Sequence, residues 1–356
     1  MKKKVLSLLM AVSLFSAASC SKSVDDRDVV PETERTFEET TTEEVTTTTT
    51  EETTTTTTTE ATTTTSETTA ETSETSETSS IAQMPSDGLD FSYTTSDPVI
   101  TSEEDGLMEV EFYRDGLCMR SKIYLPDEEG PYPTVIVATG LRISCDRYQE
   151  LAENYAQNGI ACVLFDFIGG PESGSHSDGE AVDMCLTSET KDLNAVLDGV
   201  LELDIVDKDN IFLFGHSFGG EVATVTAALR GEDINSLILM EPAYLLDDVV
   251  SVLIPDGVEI PESVPYPFFL GHDFIEEMLL FDIYEYIPLV VNDVILFKGT
   301  TEDALGLLAP EYYDRAEDLF PSVTMVDVEG ANHAFDGDAG ITMFNSSLTF
   351  IEEHLV

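Results

Sequence analysis

Basic residues are scarce in this chain of 356 residues, which has 16 Lys and Arg against 70 Asp and Glu and a formal net charge of −54. The imbalance is not confined to one end, because residues 81–356 hold 54 acidic residues and 10 basic ones. Proteins that bind nucleic acid or anionic lipid headgroups neutralise those charges with Lys and Arg. We therefore expect no nucleic-acid partner and no charge-driven binding to a membrane surface.

Tryptophan is absent and cysteine is rare, but neither shortage prevents a large core. Hydrophobic residues make up 42% of the chain, with 18 Phe and 12 Tyr. Four of the five cysteines lie in the body of the chain: Cys118, Cys145, Cys162 and Cys185. A domain of this size does not need disulfides, so we expect buried free thiols. A disulfide between Cys118 and Cys162 is the alternative, if their strands are neighbours. No spacing of Cys and His suggests a metal site, and no cofactor is implied.

The N-terminus has the pattern of an export signal. A basic MKKK segment precedes a short apolar run, and this run is too short to span a bilayer, which predicts a signal peptide over residues 1–19. The small residues before Cys20 resemble a bacterial lipobox, which implies lipidation of Cys20. Ordinary secretion without a lipid is the alternative. The only predicted contact with a membrane is thus an anchor at Cys20.

A tract of low complexity follows the signal. Between Thr36 and Ser80, 41 of 45 residues are Thr, Glu or Ser. Such a segment has too little apolar surface to compensate the entropy of ordering. We predict a disordered, lipid-anchored linker over residues 20–90, which places the protein outside the cytoplasm at a bacterial cell surface, or secreted.

Strand-like and helix-like patterns alternate from Met108 onward. Two short strand-like runs, MEVEFY and LCMRSKIYL, flank a turn at 114–116, and six continuous apolar runs follow with helical periods between them. Runs that are apolar on both faces belong to strands covered on both sides by helices. The pattern predicts an α/β domain over 91–356 with a mostly parallel, eight-stranded sheet. The last helical run places four apolar residues on one face: Ile341, Phe344, Leu348 and Ile351.

One interval in this alternation is too long for a simple crossover. Between SLILM and VILFKG lie about fifty residues, with Pro at 255, 261, 265 and 267 among them and many aromatic residues. So many aromatic side chains need a surface to pack against. We predict a small cap at about 244–287, inserted over the carboxyl ends of the strands.

The segment IFLFGHSFGG carries the clearest chemical signal. Ser217 lies in a Gly-x-Ser-x-Gly motif directly between a predicted strand and a predicted helix, which is the context of a nucleophile elbow. A Ser that merely caps the helix is the structural alternative. A hydroxyl nucleophile needs a base, and His333 follows the last strand-like run, where the sheet edge would present it. His216 adjoins Ser217, and we expect its side chain to point elsewhere.

The third member of such a triad is a carboxylate that orients the base. Glu302 and Asp303 follow the penultimate strand-like run, and Glu241 follows SLILM. All three positions come directly after predicted strands, so the residues themselves leave the choice open.

The order Ser, acid, His on alternating strands and helices resembles the α/β-hydrolase family over nearly all of residues 107–356. YPTVIVATG resembles the strand that leads into the family's oxyanion loop, and the chain is most similar to bacterial cinnamoyl or feruloyl esterase-like and S33-type serine hydrolases. In that family the acid usually stands three residues after the Gly that ends the strand, which implies Glu302. The family's oxyanion hole implies the backbone amides of Leu141 and Phe218.

This resemblance implies a serine carboxylesterase for small acyl or hydroxycinnamoyl esters, either as small molecules or linked to polysaccharide. An aromatic cap on an acidic domain suits uncharged, partly apolar acyl groups. Two alternatives remain open: a serine peptidase or amidase on the same triad, and a non-catalytic binding protein on a hydrolase fold.

Overall fold

The computed structural model describes residues 84–171, 177–264, 269–301 and 310–356. The predicted signal peptide, Cys20 and most of the predicted linker lie outside these residues. The described chain begins within the segment assigned to the linker, and it contacts the domain there. The Tyr286 hydroxyl donates to the carboxylate of Asp87 at 2.7 Å, and Leu89 packs against the core.

The strands follow the predicted runs closely. Their bounds are β1 Val99–Glu104, β2 Leu107–Arg114, β3 Leu117–Tyr124, β4 Tyr132–Ala138, β5 Ala161–Phe165, β6 Val206–His216, β7 Ser236–Met240, β8 Ser263–Val264, β9 Leu270–Gly271, β10 Asp293–Gly299 and β11 Val323–Val328. Within the described residues, nine of them form one sheet in the order β1-β2-β3-β5-β4-β6-β7-β10-β11, and β8 pairs with β9 separately. Pairing is antiparallel from β1 to β5 and parallel from β5 to β11. The mostly parallel α/β sheet is confirmed.

The prediction of eight strands misses β1. This strand has the sequence VITSEE, and five of its six residues are exposed. It lies at the edge of the sheet with β2 as its one neighbour. An edge strand with little buried surface lacks the apolar pattern by which the other strands are found.

Helices cover both faces of the sheet, as predicted. In the part of the chain that is described they are α1 Gln149–Gln157, α2 Leu186–Leu201, α3 Phe218–Arg230, α4 Leu246–Leu253, α5 His272–Leu280, α6 Ile283–Tyr286, α7 Pro310–Leu319 and α8 Asp338–His354. Alternate residues of β4 enter two separate cores. Ile136 and Ala138 join the core beneath α2 and α3, whereas Val135 and Val137 join the core beneath α1 and α8. None of the described helices is long and apolar enough to cross a bilayer.

The predicted face of α8 is wrong at one position. Ile341 is 60% exposed, although Ile351 is buried and the other two predicted residues are partly buried. The buried stripe instead runs through Met343, Ser347 and Phe350. The helix is therefore rotated relative to the predicted face, with Ile341 turned to solvent.

An insertion lies between β7 and β10, where the long interval predicts a cap. It contains α4, the small β8–β9 ribbon, α5 and α6. Several of its aromatic side chains are buried in the core that also holds α2 and α3: Phe274, Phe281, Tyr284 and Tyr286.

The four cysteines of the domain are buried and unbridged. Cys162 on β5 lies opposite Tyr124 on β3, so Cys118 lies six residues further along β3, at about 20 Å. This is far beyond the span of a disulfide, and the Cys118–Cys162 bridge is excluded.

Candidate active site

Four loops that carry the proposed site follow parallel strands and therefore begin at one edge of the sheet. The loop with Gly140 follows β4, Ser217 follows β6, Glu241 follows β7, and the loop with His333 follows β11. Carboxyl ends of parallel strands meet at a common edge, which is where ligands bind in folds of this type.

Ser217 stands in a sharp turn between β6 and α3. Its backbone has φ 56° and ψ −124°, a conformation that is rare and strained for a residue with a side chain. Neighbouring glycines make the turn possible. A Cβ on Gly215 would lie 2.6 Å from the Cα of Gly220, and one on Gly219 would lie 2.2 Å from the carbonyl oxygen of Thr139. No side chain other than hydrogen fits at these places, so strand, turn and helix form a tight elbow.

The helix-cap alternative for Ser217 does not hold. Although Ser217 occupies the N-cap position of α3, its side chain makes no capping hydrogen bond within the described structure. Its backbone is held instead by the end of β7 and the turn that follows it. The N–H of Ser217 donates to the carbonyl oxygen of Met240, and the carbonyl oxygen of Ser217 accepts from the N–H of Ala243. The hydroxyl is therefore left available for another role.

Glu241 is the acid that the structure places on His333. Its Oε2 lies 2.6 Å from Nδ1 of His333, and its Oε1 accepts the backbone N–H of Gly299 at 2.7 Å. The residue is 1% exposed, so both oxygens are held by protein donors. Like Ser217 it has a positive φ, 41°, which turns the chain sharply at the end of β7.

Glu302 and Asp303, the acids predicted after β10, lie outside the described residues, so their position relative to His333 stays untested. The ring nitrogen of His333 that a triad acid would contact is, however, already in contact with Glu241. A neutral imidazole has one N–H, and on His333 the Nδ1 atom faces Glu241.

This contact selects the tautomer of the neutral imidazole. When Nδ1 of His333 donates to Glu241, the other ring nitrogen carries a lone pair, which is the form that takes a proton from a hydroxyl. The side chain of His333 is 13% exposed, so it borders the surface rather than the core.

The predicted oxyanion amides belong to Phe218, which follows Ser217, and to Leu141 in the loop after β4. Phe218 is the first residue of α3, and the N–H groups of a first helical turn have no acceptor within the helix. Gly140 closely approaches the nucleophile, because a Cβ there would lie 3.3 Å from the Cβ of Ser217. Leu141 follows directly in the same loop. Their function in charge stabilisation stays a prediction.

Comparison with known proteins supports the fold. A family model described as serine aminopeptidase, S33, matches residues 130–263, which include Ser217 and Glu241 but not His333. A structure of Est1E from Butyrivibrio proteoclasticus with bound ferulic acid superposes with a TM-score of 0.60 at 20% identity, over 67% of this chain and 96% of that one. The chain therefore has the α/β-hydrolase fold.

Curated relatives match the chain over part of their length. Esterase FrsA of Escherichia coli O157:H7 is 28% identical over 173 residues, which are 46% of this chain and 38% of that protein. The quorum-quenching protein AidA of Acinetobacter baumannii is 27% identical over 123 residues, which are 34% of this chain and 39% of that protein. The chain thus spans less than half of the length of these relatives.

Two buried residues, for which the sequence predicts no role, form a chain of hydrogen bonds that ends at the His333 loop. The Tyr148 hydroxyl lies 2.5 Å from Nδ1 of His216, and Nε2 of His216 lies 2.9 Å from the backbone oxygen of His333. The two rings of His216 and His333 are 4.8 Å apart between centroids. These contacts join residues separated by 68 and 117 positions, and no local pattern reveals them.

One group of possible metal ligands occurs among the described residues of the chain, at the start of α5. Ligand atoms of His272, Asp273 and Glu276 lie within 4.8 Å of one another. Two of the three residues are exposed, and Nδ1 of His272 lies 3.2 Å from the carbonyl oxygen of Pro261. Exposed acidic side chains at a helix start are ordinary, because they interact favourably with its dipole.

Proposed function

We propose that this α/β-hydrolase is a serine carboxylesterase with Ser217 as nucleophile, His333 as base and Glu241 as the acid of the triad. The contact of 2.6 Å between His333 and Glu241 supports this proposal most directly. It fixes the tautomer that a serine nucleophile requires, at the edge of the sheet where the strained Ser217 turn also lies.

The reaction follows from these positions. The hydroxyl oxygen of Ser217 attacks the ester carbonyl carbon while its proton passes to Nε2 of His333. The bond between the carbonyl carbon and the alcohol oxygen then breaks, and His333 returns the proton to the leaving alcohol. Water, deprotonated by His333, hydrolyses the acyl-enzyme to a carboxylic acid and restores Ser217.

Two backbone amides would stabilise the tetrahedral intermediates. We assign this role to Phe218 at the start of α3 and to Leu141 in the loop after β4. Each donor of this kind contributes roughly 100- to 1,000-fold in rate, since it acts on charge that develops only in the transition state.

We propose small acyl and hydroxycinnamoyl esters as substrates, free or attached to polysaccharide. The superposition on an esterase-fold structure that holds ferulic acid supports this class, as does the aromatic insertion next to the site. Phe269 of that insertion lies under the guanidinium of Arg142, which follows Leu141, at 5.3 Å from its ring centroid. An aromatic side chain thus borders the proposed oxyanion loop.

Hydrolysis of p-nitrophenyl acetate and methyl ferulate by the full chain tests the proposal, with Ser217→Ala as the control. We expect turnover of both esters, and labelling of Ser217 by a fluorophosphonate that the variant abolishes. Equal rates for the wild type and Ser217→Ala would remove Ser217 from the mechanism.

Amide hydrolysis is the second candidate, because the matching family model is described as a serine aminopeptidase. A matched pair of substrates with one acyl group, an ester and an anilide, separates the two. A higher kcat/KM for the anilide would make the protein an amidase.

We further propose that the protein is exported and tethered through a lipid on Cys20. The apolar run and the small residues before Cys20 support this. Cells fed an alkyne fatty acid should yield labelled wild-type protein in the membrane fraction and unlabelled Cys20→Ala. Release of the labelled protein into the medium would contradict the tether.

A further inference from the structure

A chain of hydrogen bonds connects the loop after β4 to the loop after β11 through His216. The Tyr148 hydroxyl lies 2.5 Å from Nδ1 of His216, and Nε2 of His216 lies 2.9 Å from the carbonyl oxygen of His333. At the other end, the backbone N–H of Gly140 faces the Tyr148 hydroxyl. Tyr148 and His216 are 6% and 5% exposed, so protein groups rather than bulk water provide these partners.

The direction of every hydrogen bond in the chain is determined. The carbonyl oxygen of His333 can only accept, so Nε2 of His216 carries the proton. A neutral imidazole has one N–H, so Nδ1 accepts and the Tyr148 hydroxyl donates to it. The hydroxyl oxygen retains a lone pair for the N–H of Gly140. Each group therefore has one matching partner, from Gly140 through Tyr148 and His216 to His333.

Burial keeps the central ring in the required state. Desolvation, and then the neighbouring His333, lower the pKa of His216 well below its usual range, so the ring stays neutral. A charged His216 would have two donors, which would reverse the hydrogen bond with Tyr148.

We propose that Tyr148 and His216 are positioning residues that fix the oxyanion loop and the His333 loop relative to each other. The inference rests on the proposed function. Gly140 directly precedes Leu141, whose amide we place in the oxyanion hole, and the carbonyl held by His216 belongs to His333. His216 also directly precedes Ser217, so the hydrogen-bonded chain passes through the turn that carries the nucleophile.

The expected effect follows from the precision that catalysis requires. A misplacement of about 1 Å in a reacting group can reduce the rate roughly 100-fold. Loss of the Tyr148 hydroxyl removes the partner of the Gly140 N–H and the hydrogen-bond donor to His216. Loss of the His216 ring frees the carbonyl of His333 as well, and should have the larger effect.

Tyr148→Phe has a matched control in Tyr155→Phe. Tyr155 is fully buried on α1 in the same core, and its hydroxyl lies 2.7 Å from Oγ of Ser347, away from the triad. Each variant removes one buried hydroxyl that takes part in a hydrogen bond, so each should lose a similar amount of stability. We expect Tyr148→Phe to lower kcat about 10-fold with KM within about twofold, and Tyr155→Phe to change kcat less than about twofold.

Two substitutions of His216 separate positioning from packing. The amide nitrogen of a Gln can stand close to the place of Nε2, so His216→Gln keeps a donor for the His333 carbonyl, whereas His216→Leu keeps only bulk. We expect a kcat loss of about 100-fold for His216→Leu, and recovery to within about 10-fold of the wild type for His216→Gln. Equal kcat losses in both variants, or equal losses in Tyr148→Phe and Tyr155→Phe, would overturn the proposal.

A measurement that needs no substrate distinguishes this inference from the proposed function. The chain has five His, so a ¹⁵N–¹H spectrum of the histidine side chains is simple, and the signal missing in His216→Gln identifies His216. At neutral pH we expect a neutral ring with its proton on Nε2. A charged ring or a proton on Nδ1 would refute the hydrogen-bonded chain even in an active enzyme. A correct tautomer in a protein without ester turnover would instead refute the esterase, and with it the positioning role.

Discussion

Replacing Glu241 by Gln tests the proposed acid with the smallest change of shape. The Gln amide has one oxygen and one NH₂ group where the carboxylate has two acceptors. The backbone N–H of Gly299 donates to Oε1 at 2.7 Å, so the amide oxygen must occupy that position. The NH₂ group then faces Nδ1 of His333, which is 2.6 Å from Oε2 in the wild type. Nδ1 must accept, and the ring proton moves to Nε2.

This change places a proton on the nitrogen that must act as base. A wrong tautomer in a serine triad lowers kcat by about 10⁴. We therefore expect a fall of roughly 10³ to 10⁴ in kcat, or about 4 to 5.5 kcal/mol in transition-state stabilisation. Because the Gly299 hydrogen bond and the packing volume are retained, the free energy of unfolding should change by less than about 1 kcal/mol.

Steady-state hydrolysis of p-nitrophenyl acetate, together with thermal unfolding, measures both quantities. Glu302→Gln and Asp303→Asn are the parallel variants, since the family pattern places the acid there. We expect these two to stay within a few-fold of the wild type. A large loss of kcat in either one, with Glu241→Gln within about 10-fold of the wild type, would show that the acid follows β10.

Three further predictions concern stability and accessibility. Gly219→Ala should cost about 3 kcal/mol or more in urea unfolding, because the new Cβ would lie 2.2 Å from the backbone oxygen of Thr139; an unchanged midpoint would contradict the tight elbow. The four buried cysteines should react slowly with a thiol reagent until the domain is unfolded, and fast labelling of the native domain would show that it opens. Burial raises the pKa of Asp247 from 3.8 to about 6, so the folded protein holds a proton on Asp247 more tightly than the unfolded protein does. The stability that this proton contributes is lost as the pH rises from about 4 through 6. The melting temperature should fall over that range, and Asp247→Asn should flatten the fall; an unaltered slope in the variant would assign the pH dependence to other groups.

The fold could be predicted because its strands are strongly patterned. Runs such as ACVLF and SLILM are buried along their whole length, and such runs alternate with helical periods in the order of a parallel sheet. β1 escaped because an exposed edge strand needs no apolar pattern. Ile341 was placed on the wrong face because the helical period alone does not fix how far a helix rotates on the sheet.

Ser217 and His333 could be proposed from sequence, since each follows a recognisable strand and belongs to a rare residue type or motif. The acid could not be chosen in this way. The domain from residue 81 onward has 54 acidic residues, and several of them follow strands. What distinguishes Glu241 is a left-handed turn after β7 and a backbone N–H supplied by Gly299, 58 residues away. Neither feature leaves a local trace in the sequence.

The position of Glu241 before the insertion has a consequence for redesign. The turn of Ser217 and the turn of Glu241 are interlocked through Met240 and Ala243, and both lie upstream of the inserted segment. Exchanging that segment for one from another protein of this fold would leave the proposed nucleophile and acid on an uninterrupted stretch of native chain. The substrate specificity of such chimaeras could then be varied without altering that pair, provided that the backbone N–H of Gly299 keeps its hydrogen bond to Glu241.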